Sequence, residues 1–320
     1  MAVYTTISPE ALKAFMTQYD LGEAISCEGI AEGVENSNYL LATHDARYIL
    51  TLYEKRVKAE ELPWFLGLMR HLASRALPCP TPVAGRDGES LRSLMERPAA
   101  ITTFLLGRPV DTITPEICRA LGKALADFHE LGRDYPAYRS NALGPEAWKP
   151  LLVACGETGD ELRPGLTHEV SQAIDDVIAK WPDREKLPHG QIHADLFPDN
   201  VFFQGERVSG IIDFYFACTD LFAYDLAICI NAWCFPDEQR LEPILLNALL
   251  RGYEAGRELS AAERQALIVL SQGAALRFLL TRLYDWGHTS PDALVTRKDP
   301  LVYLSRLRTL RRMTEADFHV

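Results

Sequence analysis

The spacing of apolar residues changes along this chain, and the change divides it. Ser8-Pro9-Glu10 opens a helix, with serine as N-cap and proline in the first turn, running to about Tyr19 before Gly22. Two short runs of β-forming residues follow, Asn38 to Ala42 and Arg47 to Tyr53. Polar His44-Asp45-Ala46 between them reads as a hairpin turn. From about Ala59 to Ser74, Leu62, Phe65, Leu66, Met69 and Leu72 recur at helical spacing. Pro78, Pro80 and Pro82 then mark an extended connector, and Ala99 to Leu106 is an apolar strand that stops at Gly107-Arg108-Pro109.

Beyond residue 115 the period becomes helical. Pro115 to Leu131 puts Leu121, Leu125 and Phe128 on one face; Glu169 to Trp181 and residues 240–256, 261–287 and 300–313 give four more helices. One β-rich, polar stretch, Leu187 to Phe216, interrupts them. The expectation is an α+β chain with a small β-rich N-lobe over residues 1–106 and a large helical C-lobe over 107–320.

At 320 residues with 48% hydrophobic positions, the chain can bury the core that such an arrangement needs. Lys and Arg number 33 against 44 Asp and Glu, a net charge of −11 with no basic stripe, which speaks against a nucleic-acid partner. The nearest cluster, Arg306, Arg308, Arg311 and Arg312, fits a solvated helix face. The seven cysteines form no CxxC pair, and several lie in apolar runs, so they read as reduced and buried in a reducing compartment. The first residues lack a basic start followed by an apolar stretch, and no run of about 18 apolar residues is seen, so the expectation is a cytoplasmic protein without a membrane partner.

The interruption carries the chemistry. Val201-Phe-Phe and Val208 to Ile212 are β runs about the turn-like Gln204-Gly-Glu-Arg207, a hairpin that sets Asn200 roughly opposite Asp213. Asp195 precedes Asn200 by five residues in a loop stiffened by Pro198. Oxygen donors with no cysteine nearby suit Mg²⁺, and a carboxylate beside such a site can orient and deprotonate a hydroxyl. Phosphoryl transfer asks for little more. His189 and His193 are four apart, as in a zinc helix, but Pro188 and Gly190 disfavour a helix there. Asp199 reads as a turn carboxylate.

His193-Ala-Asp-Leu-Phe-Pro-Asp-Asn200 resembles the H-x-D-x-x-x-x-N loop of the aminoglycoside/choline kinase branch of the protein-kinase-like fold. Ile211-Ile-Asp213-Phe214 resembles that branch's metal-binding segment, and Tyr224-Asp225-Leu-Ala its downstream D-L-A. The resemblance implies a bilobal protein-kinase-like kinase using ATP and Mg²⁺. Asp195 would be the catalytic base, Asn200 and Asp213 the metal ligands, and His193 and Asp225 supports. The chain holds no GxxxxGK[ST] and no GxGxxG. Ala31 to Tyr39 resembles the branch's G-x-x-N-x-N-Y phosphate loops, which places Gly33, Asn36, Ser37 and Asn38 near the phosphates. Ala100 to Gly107 resembles the interlobe hinge, whose backbone at Thr103 and Phe104 would meet the purine. Relatives carry Lys or Arg in the third strand where this chain has Thr51; Lys55, Arg56 and Lys58 are the nearby cations.

Gly33 to Tyr39, Asn231 to Phe235, Arg277 to Trp286 and Leu294 to Tyr303 together resemble the homoserine kinases built on this fold, over nearly the whole chain. The P-x-x-x-G-L-x-S-S loop of the unrelated homoserine kinase family is missing. The resemblance implies ATP-dependent phosphorylation of L-homoserine to O-phospho-L-homoserine, a step of threonine biosynthesis. A buried zwitterion needs a cation for its carboxylate and an acid for its ammonium. Arg277 and Arg282 are candidates for the first, Asp220 and Asp285 for the second, with Trp233 or Trp286 as a wall. The rival readings are a kinase of the same branch acting on choline, an aminoglycoside or a sugar, a nucleotide-binding pseudokinase, and a protein kinase. Against the last stand the absence of an A-P-E segment and the Phe-Tyr that follows Asp213.

Overall fold

The computed structural model describes residues 4–30, 36–54, 58–237, 239–289 and 297–318. They form two compact units, Met1–Gly107 with Ser209–Tyr215, and Arg108–Val208 with Phe216–Val320.

In the first unit, helix α1 (Pro9–Met16) is capped by Ser8, whose hydroxyl accepts from the Ala11 N–H. It precedes strands β1 (Ala24–Gly29), β2 (Ser37–Thr43), β3 (Arg47–Leu52), β4 (Arg92–Leu94) and β5 (Arg97–Thr103), which pair antiparallel in the order β1-β2-β3-β5-β4. Helix α2 (Leu62–Ala73) follows a 3₁₀ turn at Ala59–Glu61, later than the expected start. Register sorts the side chains. Tyr39, Leu50 and Ile101 align across β2, β3 and β5, and with Leu41, Leu52 and Ala99 they pack on Phe15, Met16 and Tyr19. The neighbouring row, Asn38, Thr51 and Ala100, therefore lies on the opposite face. The chain reverses at Thr43–Ala46, where the Thr43 N–H meets the Ala46 carbonyl. Strand β5 begins at Arg97 and ends at Thr103, earlier at both ends than the apolar run suggests. Strand β1 escaped sequence reading because it is an edge strand whose burial does not alternate, with Ile25 58% exposed.

The second unit is mainly helical: α3 (Pro115–Gly132), α4 (Pro145–Ala154), α5 (Thr158–Leu162), α6 (Leu166–Ile178), α7 (Phe222–Trp233), α8 (Pro243–Glu254), α9 (Ala261–His288) and α10 (Leu301–Leu310). Strand β6 (His189–Ile192) pairs antiparallel with β9 (Cys218–Leu221), and β7 (Val201–Gln204) leads through a turn at Gly205, φ 62°, into β8 (Arg207–Ile211), whose residues from Ser209 on belong to the first unit. Helix α7 gave no periodic signal because it is buried on nearly every side: only Ala232 of its twelve residues is not fully interior. Helix α9, by contrast, is long and apolar enough to cross a membrane, with mean hydropathy 1.4 over its most apolar window, a point the sequence reading missed. Since 78% of that window is buried by its own protein, it is the central helix of this unit.

Helices α3 and α8 approach at glycines. A Cβ on Gly122 would lie 2.2 Å from the Leu249 carbonyl oxygen, and one on Gly252 would lie 2.1 Å from that of Arg119. Only glycine permits this spacing, which brings Tyr253 of α8 against His129 of α3. The C-terminal arginines do not share one solvated face. Arg308 and Arg311 pair with Glu169 and Asp176 of α6, whereas Arg306 is 7% exposed and donates to the Asn231 carbonyl. All seven cysteines are free thiols, six of them buried.

Candidate active site

The loop after β6 is held by its backbone. Ala194 adopts φ 62°, a left-handed conformation that costs a non-glycine residue about 1–2 kcal/mol. Bonds at both ends of this residue hold it there. Its N–H donates to Asp225 Oδ1 at 2.8 Å, the His193 N–H donates to Asp225 Oδ2 at 2.7 Å, and its carbonyl accepts from Arg277. The His193 ring is fully buried, and its Nδ1 accepts from the Asp195 N–H at 3.3 Å. Trp233, also fully buried, donates its indole N–H to the Leu196 carbonyl at 2.8 Å.

This clamp presents Asp195, whose side chain stays 18% exposed. Its Oδ1 lies 3.7 Å from Arg277 Nη2 and its Oδ2 3.3 Å from Asn200 Nδ2, which also donates to the Asp195 carbonyl at 2.8 Å. With its amide nitrogen so used, Asn200 keeps Oδ1 for other work. Asp213 belongs to the first unit, exposed and at φ 63°. Asn200 and Asp213 offer hard oxygen donors only, a set that fits Mg²⁺. The two-histidine zinc reading fails, because His189 is exposed on a strand while His193 is interior, and the described residues contain no metal-sized cluster of three His, Cys, Asp or Glu.

A polar chain runs from the clamp into the helical core. His129 Nε2 stands 3.1 Å from Asp225 Oδ2 and its Nδ1 2.7 Å from Tyr253 Oη. Arg257 donates to Tyr253 Oη at 3.1 Å and to Glu263 at 2.7 Å, and Glu263 closes a capping box with Ser260 at the start of α9. Burial lowers His129 below its ordinary value against the opposing pull of Asp225. Burial alone would raise Asp225, but the bond and charge of His129, with His193, outweigh it and leave the carboxyl lowered. Burial also raises the Tyr253 hydroxyl. The protons follow: Tyr253 O–H donates to neutral His129, which donates to ionised Asp225. Sequence reasoning missed His129, Tyr253 and Arg257; the only trace is a histidine on the buried face of α3.

Both shifts make acid destabilising. His129 stays neutral in the native state while the unfolded chain protonates, so its contribution is complete above about pH 6.5 and is lost as pH falls toward the native value. That of Asp225 is complete above the unfolded carboxylate value, about 3.9, and is lost as pH falls through the lowered native one. The thermal midpoint is expected to drop as pH falls from about 7 to 5. His129→Gln, which keeps a donor and an acceptor, is expected to lower the midpoint at neutral pH but to flatten its slope below about pH 6.5. Calorimetry across that range measures both, and an unchanged slope rejects the assignment.

The remaining sequence candidates are placed as follows. Thr51 donates to Asn38 Oδ1 at 2.8 Å across β2 and β3. Asn36 accepts the Glu54 N–H, and Ser37 is fully buried, accepting from the Tyr4 and Thr5 N–H groups and donating to Glu54. Ser37 therefore pins a strand end. Gly33, Lys55 and Arg56 lie outside the described residues, and Lys58 is exposed. Thr103 accepts the Thr81 N–H, and Phe104 lies under Arg47. Asp220 is raised by burial, partly offset by its bonds from Asn141 and its own neighbour Leu221. Arg277 and Trp233, read from sequence as a substrate clamp and a pocket wall, are bound instead to carbonyls of the loop, because each is interior. Arg282 donates to the Asp299 carbonyl at 3.1 Å and lies over Tyr303. Asp285 is exposed, and Trp286 lies beside Arg297.

A five-stranded antiparallel unit, a helical unit and an H-x-D-x-x-x-x-N loop pinned by a buried aspartate define a protein-kinase-like phosphotransferase. The chain belongs to the phosphotransferase enzyme family, whose sequence profile matches residues 26–259. It is 62% identical over 308 residues to a homoserine kinase of Gluconobacter oxydans, covering 96% of this chain and 98% of the relative. A homoserine kinase of Acidiphilium cryptum is 58% identical over the full length of both chains. Among solved structures, an amicoumacin kinase in complex with AMP-PNP, Ca²⁺ and Ami superposes with a TM-score of 0.73 at 16% identity, covering 96% of this chain and 94% of that one. An aminoglycoside phosphotransferase from Alicyclobacillus acidocaldarius gives 0.67 at 18%, covering 96% and 95%. At such identities these two speak for the fold alone.

Proposed function

We propose that this chain is a homoserine kinase, transferring the γ-phosphate of ATP to the hydroxyl of L-homoserine to give O-phospho-L-homoserine for threonine biosynthesis. The observation that carries the reading is identity above half with homoserine kinases over the entire chain, joined to an intact Asp195–Asn200 loop. Asp195 receives the substrate hydroxyl and takes its proton as transfer proceeds, with Arg277 and Asn200 fixing the two carboxylate oxygens. Asn200 Oδ1 and Asp213 are the groups that would hold Mg²⁺, which when bound neutralises charge on the transferred phosphoryl group. The sheet face carrying Asn38 and Thr51 is the nucleotide side, and the stretch from Thr103 to Gly107 serves as the hinge. Residues 1–106 then act as the nucleotide lobe and 107–320 as the catalytic lobe, except that Ser209–Tyr215 packs with the first unit. Free, buried thiols suit the cytoplasm.

ADP release measured against L-homoserine, choline, an aminoglycoside and a hexose tests the substrate. The expected kcat/KM for homoserine exceeds the others by about a hundredfold or more, because a site built to pair a carboxylate and an ammonium together rejects molecules lacking the carboxylate. A preference for any of the other three overturns the assignment.

A further inference from the structure

In the first unit, the segment before α1 is tied to the sheet through one acid. The Tyr4 and Thr5 N–H groups donate to Ser37 Oγ at 2.9 and 3.1 Å, and the Thr5 carbonyl accepts from the Tyr39 hydroxyl. The Thr5 hydroxyl donates to Glu54 Oε1 at 2.7 Å, and the Ser37 hydroxyl donates to the same oxygen at 2.8 Å. Arg97 Nε, at the start of β5, stands 3.3 Å from Glu54 Oε2. The Glu54 N–H donates to Asn36 Oδ1 at 3.2 Å. Glu54 therefore joins four stretches: the segment before α1, the entry to β2, the exit from β3 and the start of β5.

Every member of this node is satisfied. Ser37 is fully buried, and its oxygen accepts two N–H groups while giving its own proton. The Glu54 side chain is 9% exposed, and each of its oxygens faces a donor. Bonds to a carboxylate are stronger than neutral ones, and a buried polar network with every member satisfied is rigid. Its place in the sheet gives that rigidity a use. The β2–β3 ladder ends at the Ser37–Leu52 pair, and beyond it the Asn36 side chain supplies the acceptor for the Glu54 N–H. Asn38, next in sequence to Ser37, lies on the opposite face, where Thr51 donates to it. The node behind the sheet thus fixes the polar pair in front of it through a single peptide unit.

We propose that Glu54 is a positioning residue for nucleotide binding, and that Thr5, ahead of α1, belongs to the same device. This rests on the reading of the Asn38–Thr51 face as the nucleotide side. The role asks neither residue to touch the nucleotide. Together they hold the strand ends in the bound arrangement beforehand, so that binding has less ordering left to do. The acceptor alcohol has no share in that benefit.

Titration of the full chain with AMP-PNP and Mg²⁺, alongside steady-state kinetics with ATP and L-homoserine, tests this. Glu54→Gln keeps the outline of the side chain but removes its charge, and puts an amide nitrogen beside either Arg97 or the two hydroxyls. Thr5→Val removes one hydroxyl at nearly constant shape, and Thr5→Ser restores it. The AMP-PNP Kd and the KM for ATP are expected to rise together, about tenfold in Glu54→Gln and about threefold in Thr5→Val, while Thr5→Ser stays within about twofold of the unaltered chain. The KM for homoserine and the kcat at saturating ATP are expected to move less than about twofold. A lower urea midpoint with an unchanged Kd would mean that the node only supports the fold, and equal rises in both KM values would mean a general loosening; either result overturns the proposal. Should Glu54→Gln fail to fold, the Thr5 pair decides alone. The titration needs no acceptor, so it holds even if homoserine is not the substrate. If the unaltered chain does not bind AMP-PNP, the nucleotide reading falls and the proposal with it. If it binds and the variants keep its affinity, the proposal alone falls.

Discussion

Asp195→Asn is expected to reduce kcat by about a thousandfold or more while leaving ATP affinity within a factor of about three. The substitution keeps the shape of the side chain and one acceptor oxygen; the amide that replaces the other is partly exposed to water, and the loop is still held by Asp225 through the His193 and Ala194 N–H groups. What it removes is the one acid in this loop that is exposed enough to meet a substrate and is braced at both oxygens. Its neighbours have other work: Asp225 is fully buried and bonded to backbone, and Asp199 is exposed without a partner in the clamp. Asparagine cannot accept the proton of an alcohol, so the loss belongs in turnover and not in nucleotide binding. Equilibrium titration with ATP alongside turnover separates the two. Turnover within about tenfold of normal rejects Asp195 as the base.

The second large effect is at Asp225. One carboxylate receives the His193 and Ala194 N–H groups and the His129 ring. Asp225→Asn replaces an acceptor oxygen by an amide nitrogen, so at least one buried N–H faces another donor. Breaking a buried charged network in this way costs about 3–5 kcal/mol. The backbone strain at Ala194 then loses half its restraint, and Asp195 moves with it. A shift of about 1 Å in a catalytic group costs about a hundredfold in rate. Urea unfolding and kcat are therefore expected to fall together, unlike Asp195→Asn, where stability holds. A stable, active Asp225→Asn protein rejects the clamp.

The loop itself was legible in sequence because its chemistry is local. His193, Asp195, Asn200 and Pro198 lie within eight residues, and both the spacing and the turn residue are visible in a linear reading. The strong amphipathic helices α3 and α6 were legible for a similar reason, since each buries one face. The braces of the loop were not. Arg277 and Trp233 lie on helices α9 and α7 and reach the loop only through tertiary packing. Read by residue type, an arginine suggests a carboxylate and a tryptophan a pocket wall; the fold gives both to backbone carbonyls. His129 and Tyr253 meet because two glycines let α3 and α8 close, which no periodicity reveals. Ser37 illustrates a different limit of reading by residue type. Polar residues beside a glycine look like a phosphate loop, yet Ser37 is spent on the Tyr4 and Thr5 amides and on Glu54.

The sheet-bearing unit is not a continuous stretch of chain. Ser209–Tyr215 returns to it after a hundred residues elsewhere: the Ile211 N–H meets the Pro78 carbonyl, Ser209 reaches the Leu106 carbonyl, and Tyr215 packs its ring edge-on with Tyr53 and Phe65. During synthesis the first hundred residues therefore emerge from the ribosome with part of their own packing still untranslated. That unit must wait, incomplete, until residue 215 has cleared the exit tunnel. A gene fragment ending at Gly107 would encode the strands of this unit without the segment that covers them, and the natural cut for a smaller working piece does not exist.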